Sequence, residues 1–379
     1  MYKIDYSNAK YPVRIDFTEG HRRYWKRLAE PGNWFTGTQR IAIAKEVRNA
    51  HNCDLCRKRK EAMSPNAVSG DHDKVTDLPD IIVDVIHRVI TDNKRLTRAW
   101  FDTTTRKGLT EEQYVEILGT TLHVFMIDEF CRAIGEPPNE LPDPVGGSPS
   151  LYRPDNLIDV GAWVEVLPND IEAGSPEADL AGKLVFNVYR GLSLIPDEVR
   201  TVFDLIGIHY LSDDEIKDYR KGFGGTLSRY QKEVVATRIS SFNDCYYCTS
   251  GHAMMLMTSI HQTGADMIEF DGLTDPNCTE IRGIPHSATL INFCDAFMGG
   301  DADDLSTARE LLASEMSPEA MVDVAGIAAN FQRMNRIADA TGMPQDSLGH
   351  KKASEIRDTL NEKLGINRYN SANSSICST

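Results

Sequence analysis

QKEVVATRISSFNDCYYCTSGH, residues 231–252, is the stretch on which the reading of this chain turns. Its first half sets Val234, Val235 and Ile239 at helical intervals among polar residues, and a short polar break at Asn243 and Asp244 interrupts the pattern. Apolar periodicity resumes after the break in AMMLMTSI, so the stretch predicts helix, tight break, helix. Asn243 or Asp244 is expected to cap a second helix starting at or just before Cys245. Cys245 and Cys248 are then i and i+3 in its first turn, sharing a face, and the positive end of the helix dipole is expected to lower their pKa. His252 lies one turn below Cys248, at i+4. Glu233, on the preceding helix, can fold back onto the same face and complete a thiol, imidazole and carboxylate relay for protons.

The same phrase occurs earlier. Laying Cys53 on Cys245 sets QRIAIAKEVRNAHNCDLC (39–56) over QKEVVATRISSFNDCYYC (231–248). Further on, the segment from Leu109 to Pro138 lies over that from Met316 to Gln345, with Glu112/Glu319, Gly119/Gly326, Gly135/Gly342 and Pro137/Pro344 coinciding. Two blocks recurring in one order read as a tandem duplication. The copies are placed at 1–165 and 166–365, joined through the Pro/Gly/Asp-rich EPPNELPDPVGGSPSLYRPDN (136–156), with a flexible tail at 366–379 that carries Cys377. Both copies are dominated by 3.6-residue periodicity. Thr110 with Gln113, and Ser317-Pro318, supply helix starts, while Gly135 and Gly342 supply stops. The fold class expected is all-α, two helical repeats forming a pseudo-dimer.

Composition narrows the function classes. A net charge of −15 opposes nonspecific binding to nucleic acid or an anionic membrane, and neither is expected as a partner. MYKIDYSNAKYPVRIDF offers no apolar leader, so the cytoplasm is the expected location. Of eight cysteines, four form C-x-x-C pairs and four are scattered. In a reducing compartment such pairs are redox or metal sites more often than staples. C-x2-C-x3-H could hold zinc, but it supplies three ligands without an evident fourth, and no metal or organic cofactor is assigned.

The pattern E-x11-C-x2-C-x3-H, filled by Glu233, Cys245, Cys248 and His252, resembles that of the alkylhydroperoxidase D-like, peroxidase-related group of the carboxymuconolactone decarboxylase superfamily. SSFNDCYYC and NFQRMNRIADATGMP (330–344) are similar to phrases of the same group. The resemblance covers most of residues 190–345 and, more faintly, the first copy. It implies an all-helical fold, Cys248 as peroxidatic thiol, Cys245 as resolving thiol, and Glu233 with His252 as proton relay. Where some members place a relay histidine before the second cysteine, this chain has Tyr247. The activity implied is a thiol-dependent hydroperoxidase taking a hydroperoxide or other small molecule, reset by an external dithiol, with identical chains assembling into an oligomer. The competing readings are a decarboxylase, lyase or isomerase using Glu233 and His252 as acid and base, and a redox-sensing structural or partner-binding protein.

The first copy departs from the pattern. Ile41 and Lys60 stand where Glu233 and His252 would, and Glu46 lies seven residues before Cys53 on another helical face. Cys53 and Cys56 therefore read as a decayed site, or as a secondary redox pair activated by the basic run Arg57 to Lys60. His123 and His209, on apolar helices, read as satisfied core residues. Tyr246, Tyr247 and Phe242 are expected to wall the thiol pocket or an oligomer interface.

Overall fold

The structure, a computed structural model, describes residues 3–265 and 267–372. Fifteen α-helices lie among these residues, together with 3-10 turns and one isolated bridge, Ile158 with Val166, in place of any sheet. The first six are α1 (Ile15–Ala29), α2 (Gly37–Asn49), α3 (Asp54–Glu61), α4 (Asp80–Thr91), α5 (Arg98–Arg106) and α6 (Glu111–Ile134). After a long coil come α7 (Asn187–Arg190), α8 (Pro196–His209), α9 (Asp213–Lys217), α10 (Arg229–Phe242) and α11 (Tyr246–Thr263). The last four are α12 (Ser287–Gly299), α13 (Ala302–Glu315), α14 (Pro318–Thr341) and α15 (Lys351–Lys363). The all-α expectation holds. No helix among the described residues is long and apolar enough to cross a membrane.

The helix ends follow the local chemistry. Thr110 and Gln113 close a capping box at the start of α6, and Ser317 accepts the Ala320 N–H at the start of α14, with Pro318 in the first turn. Thr36 with Gln39, and Ser228 with Gln231, form equivalent boxes on α2 and α10. α6 and α14 are each 24 residues long and each ends on a left-handed glycine, Gly135 or Gly342. At Gly342 (φ 58°) a side chain would also run into the Trp163 indole. The Trp163 backbone N–H in turn donates to the Thr341 carbonyl at 2.8 Å, pinning the coil that follows α6 onto the end of α14.

α6 and α14 are buried along nearly their whole length and pack on one another as the spine of the molecule. One apolar core runs from Ile4 to Met343 and draws on both halves of the chain. A smaller one gathers α10, α11, α15 and the coil around Phe270. The described start of the tail, residues 366–372, differs from expectation. Residues Ile366–Ala372 form 3-10 turns with Ile366 and Tyr369 buried in the smaller core, because these two apolar side chains cover the outer face of α11. Cys377 lies outside the described residues.

Candidate functional site

The α10–α11 corner is tighter than the sequence suggested. Asn243 ends α10 and turns its amide inward, donating to Asn335 Oδ1 at 2.8 Å and Gln332 Oε1 at 3.2 Å. Asp244 takes a left-handed conformation (φ 52°) to reverse the chain and pairs outward with Lys94 at 3.0 Å. Neither caps α11. The N-cap is Cys245 itself, with no side-chain bond, which puts Cys248 at N3. Cys53 and Cys56 occupy the same N-cap and N3 places on α3.

Glu233 is fully buried on α10 and is the hub of the site. Its Oε1 accepts from Arg229 Nε at 2.6 Å and from the Tyr210 hydroxyl at 2.5 Å, and its Oε2 meets His252 Nδ1 at 2.8 Å. Burial pushes the Glu233 carboxyl up, but the Arg229 guanidinium, His252 and Tyr210 together outweigh it and hold the group below its ordinary value. An ionised carboxylate only accepts hydrogen bonds, so His252 carries its proton on Nδ1 and presents Nε2 as its basic nitrogen. The Phe331 ring stands edge-on to His252 with centroids 4.5 Å apart, and to Tyr210 at 5.1 Å, which fixes the tilt of the imidazole.

His252, Cys248 and Tyr210 open on one narrow pocket of about 40 Å³ with largely apolar walls, including Phe331, Met255 and Ile206. Tyr247 is part of this wall, as expected; its hydroxyl donates to Asp346 and receives the Val188 N–H at 3.2 Å, so it is tied to structure. Tyr246 instead faces α15, where Asn361 Nδ2 donates to its hydroxyl at 3.2 Å. Phe242 lies under the Arg238 guanidinium.

Cys245 sits behind Cys248, out of the pocket and fully buried. The expected lowering of its thiol pKa is corrected: burial comes first, the neighbouring Cys248 and Asp339 add to it, and the thiol is pushed well up. Asp339, also deeply buried, has its carboxyl raised to about 7 by loss of solvent, although Asn93 Nδ2 donates to it at 2.8 Å.

At the first cysteine pair the fold supplies what alignment does not. His72, from the coil before α4, and His87, on α4, bring Nδ1 to the sulfurs, and Glu46 Oε2 backs His87 Nε2 at 3.2 Å. Burial pushes the Cys56 thiol up to about 12. Burial also raises Cys53, but hydrogen bonds from the Cys56 and Asp73 backbone and from His72 leave its thiol below the ordinary value. Three of the four residues of the basic run are spent on partners: Arg57 and Lys58 on Asp54, Arg59 on Asp84. His51 faces Phe125, away from the pair. His123 bonds Arg333 and the Glu198 carbonyl, and His209 bonds the Gly326 carbonyl and His21, so both are satisfied core residues.

The chain matches no family model, no curated protein and no solved structure. Sequence reasoning missed Tyr210, Arg229 and Phe331 at the second pair and His72, His87 and Asp84 at the first. Arg229, one helical turn before Glu233, is the one member of that group a spacing rule could have found.

Proposed function

We propose that the protein is a thiol-dependent hydroperoxidase of the alkylhydroperoxidase D-like kind, working at Cys248. The observation that carries this reading is the convergence of a carboxylate-oriented imidazole and a thiol on one apolar-walled pocket. His252 Nε2 takes the Cys248 proton. The thiolate attacks the distal oxygen of a hydroperoxide, the O–O bond breaks, and the alcohol leaves with the proton returned by His252. Cys248 is then a sulfenic acid. The Cys245 sulfur attacks it, the S–O bond breaks, and the oxygen departs as water while the disulfide forms. Asp339, beside Cys245, is placed to take that thiol's proton. An external dithiol supplies the two electrons that reset the pair.

We also infer that the chain is a tandem duplication, with copies at 1–165 and 166–365 forming a pseudo-dimer about α6 and α14. Supporting this are the equal lengths and glycine ends of those two helices, the matching capping boxes on α2 and α10, and the shared N-cap and N3 placement of both cysteine pairs.

The test is hydroperoxide consumption with a dithiol, alongside a count of free thiols. Cys248→Ser should abolish turnover. Cys245→Ser should stop after one equivalent, holding a sulfenic acid that a dimedone probe labels. Full consumption by Cys248→Ser would sink the proposal. Product formed from a carbon acid with no change in thiol count would instead favour acid–base chemistry by Glu233 and His252.

A further inference from the structure

The first cysteine pair has no place in that reaction, yet its surroundings are the most ordered arrangement of metal-ligating groups among the described residues. Cys53 Sγ and Cys56 Sγ each lie 3.5 Å from His72 Nδ1, and Cys56 Sγ lies 3.5 Å from His87 Nδ1. All four atoms fall within 4.8 Å of one another. We propose that Cys53, Cys56, His72 and His87 bind one zinc ion that locks the coil carrying His72 to α3 and α4.

Three features of the cluster support this, the first of them geometric. Zinc–sulfur bonds of about 2.3 Å and zinc–nitrogen bonds of about 2.0–2.1 Å in a tetrahedron put sulfur and nitrogen about 3.6 Å apart. The three sulfur–nitrogen separations are already at that edge length, so a cation can enter with little movement. The second is orientation. Both rings aim Nδ1 at the sulfurs, and both give Nε2 to a carboxylate: His72 to Asp84 at 3.0 Å and His87 to Glu46 at 3.2 Å. Each carboxylate is itself held, Asp84 by Arg59 at 2.6 Å and Glu46 by the Thr76 hydroxyl at 2.6 Å and the Val75 N–H at 2.9 Å. A carboxylate behind each ring is the outer-shell arrangement that fixes the tautomer and strengthens a metal-bound imidazole. With the ring protons on Nε2, both Nδ1 atoms are lone pairs. Two thiol protons can serve them only pairwise, and the Cys56–His72 contact is then left without a bond. A divalent cation uses all four donors at once and cancels the charge of two thiolates.

The third is how little apolar burial holds this corner together. The apolar cluster here comprises Cys53, Leu55 and Cys56 with Val68 packed against them, apart from the main core. The segment between α3 and α4, AMSPNAVSGDHDKVTDLP (62–79), buries little beyond Pro65 and Leu78, with Val68 packed on the cysteines. A metal crosslink between that coil, α3 and α4 supplies the order that burial does not. Four protein ligands leave no open position, so the site is structural, and the C-x2-C-x15-H-x14-H donor set suits zinc.

The experiment uses the full chain, produced with zinc available and without chelator, and counts metal by elemental analysis. One zinc per chain is expected, with cobalt replacement giving the intense visible bands of a tetrahedral thiolate site. Cys56→Ser and His72→Ala should lose the metal, while Cys248→Ser and His252→Ala keep it. His87→Cys, which restores a ligand, should retain metal with a cobalt spectrum shifted toward three sulfurs, and this distinguishes ligation from a variant that fails to fold. The proposal is overturned if the wild-type chain holds no zinc after incubation with it. It is equally overturned if zinc follows Cys248 and His252, or if Cys53 and Cys56 are recovered as a disulfide with zinc present.

Discussion

Replacing Glu233 with glutamine tests the hub of the thiol site with almost no change of shape. In the native protein Oε1 holds two donors, Arg229 and Tyr210, and Oε2 holds the Nδ1–H of His252. The glutamine oxygen can keep the first two. Its amide nitrogen must then face His252, and because an amide NH₂ only donates, Nδ1 has to become the acceptor. The ring proton moves to Nε2, the nitrogen that should accept from Cys248. Loss of a positioned general base costs roughly 10²–10⁴ in rate, and Cys248 oxidation by hydroperoxide should fall by that factor. Stability should fall as well. Arg229 is fully buried and loses its counter-ion, and two charge-assisted bonds become neutral ones. Breaking a buried pair outright costs about 3–5 kcal/mol, and with hydrogen bonds retained the loss should lie at about 2–4 kcal/mol. Denaturant unfolding measures the second number and stopped-flow thiol oxidation the first. Long-range ¹H–¹⁵N spectra report the tautomer directly: Nδ1-protonated in the wild type, Nε2-protonated in Glu233→Gln. An unchanged oxidation rate together with an unchanged tautomer would refute the reasoning.

Two more perturbations probe the frame around the site. The Asp339 carboxyl stands at about 7 in the folded chain against an ordinary 3.8, so the folded state binds the extra proton; its contribution is fully present below about pH 4 and is lost as pH rises toward 7. Asp339→Asn should remove that slope, raise stability above pH 7 by as much as about 4 kcal/mol, and prolong the lifetime of the Cys248 sulfenic acid; a wild-type stability profile flat from pH 4 to 7 would count against it. Gly342→Ala must adopt a left-handed backbone and push the Trp163 indole aside, for a combined cost of about 2–4 kcal/mol, read by denaturant titration with Trp163 fluorescence; a loss below about 0.5 kcal/mol would mean that the coil after α6 is not anchored there.

Much of the frame was legible because its signals are local. Thr110 with Gln113, Ser317-Pro318 and Gly342 each act within one helical turn, and the structure uses all three as read. Glu233 bonds His252, and Cys248 shares the pocket of His252, because a three-residue break between α10 and α11 lets their helices fold back on each other. Capping at the same corner is not local: the chain reverses there through Asp244 at φ 52°, and Cys245 takes the N-cap position instead. The order at the start of the tail is not legible in sequence because Ile366 and Tyr369 are two isolated apolar residues, too sparse to form a periodic pattern yet buried in the smaller core.

What the sequence by itself determined is the all-helical class, the starts and stops of α6 and α14, and the placement of both cysteine pairs at helix starts, since each depends on residues within about four positions of one another. What the tertiary structure decided is which distant groups surround those thiols. Tyr210 reaches Glu233 from the far end of α8, and Phe331 reaches His252 from α14. His72 and His87 close on Cys53 and Cys56 across a coil that has no periodicity to read. A local pattern specifies direction along a helix, and only packing of one helix on another specifies what lies opposite. The two cysteine pairs that look alike in sequence therefore end in different company, one beside a single carboxylate-held imidazole and the other between two of them.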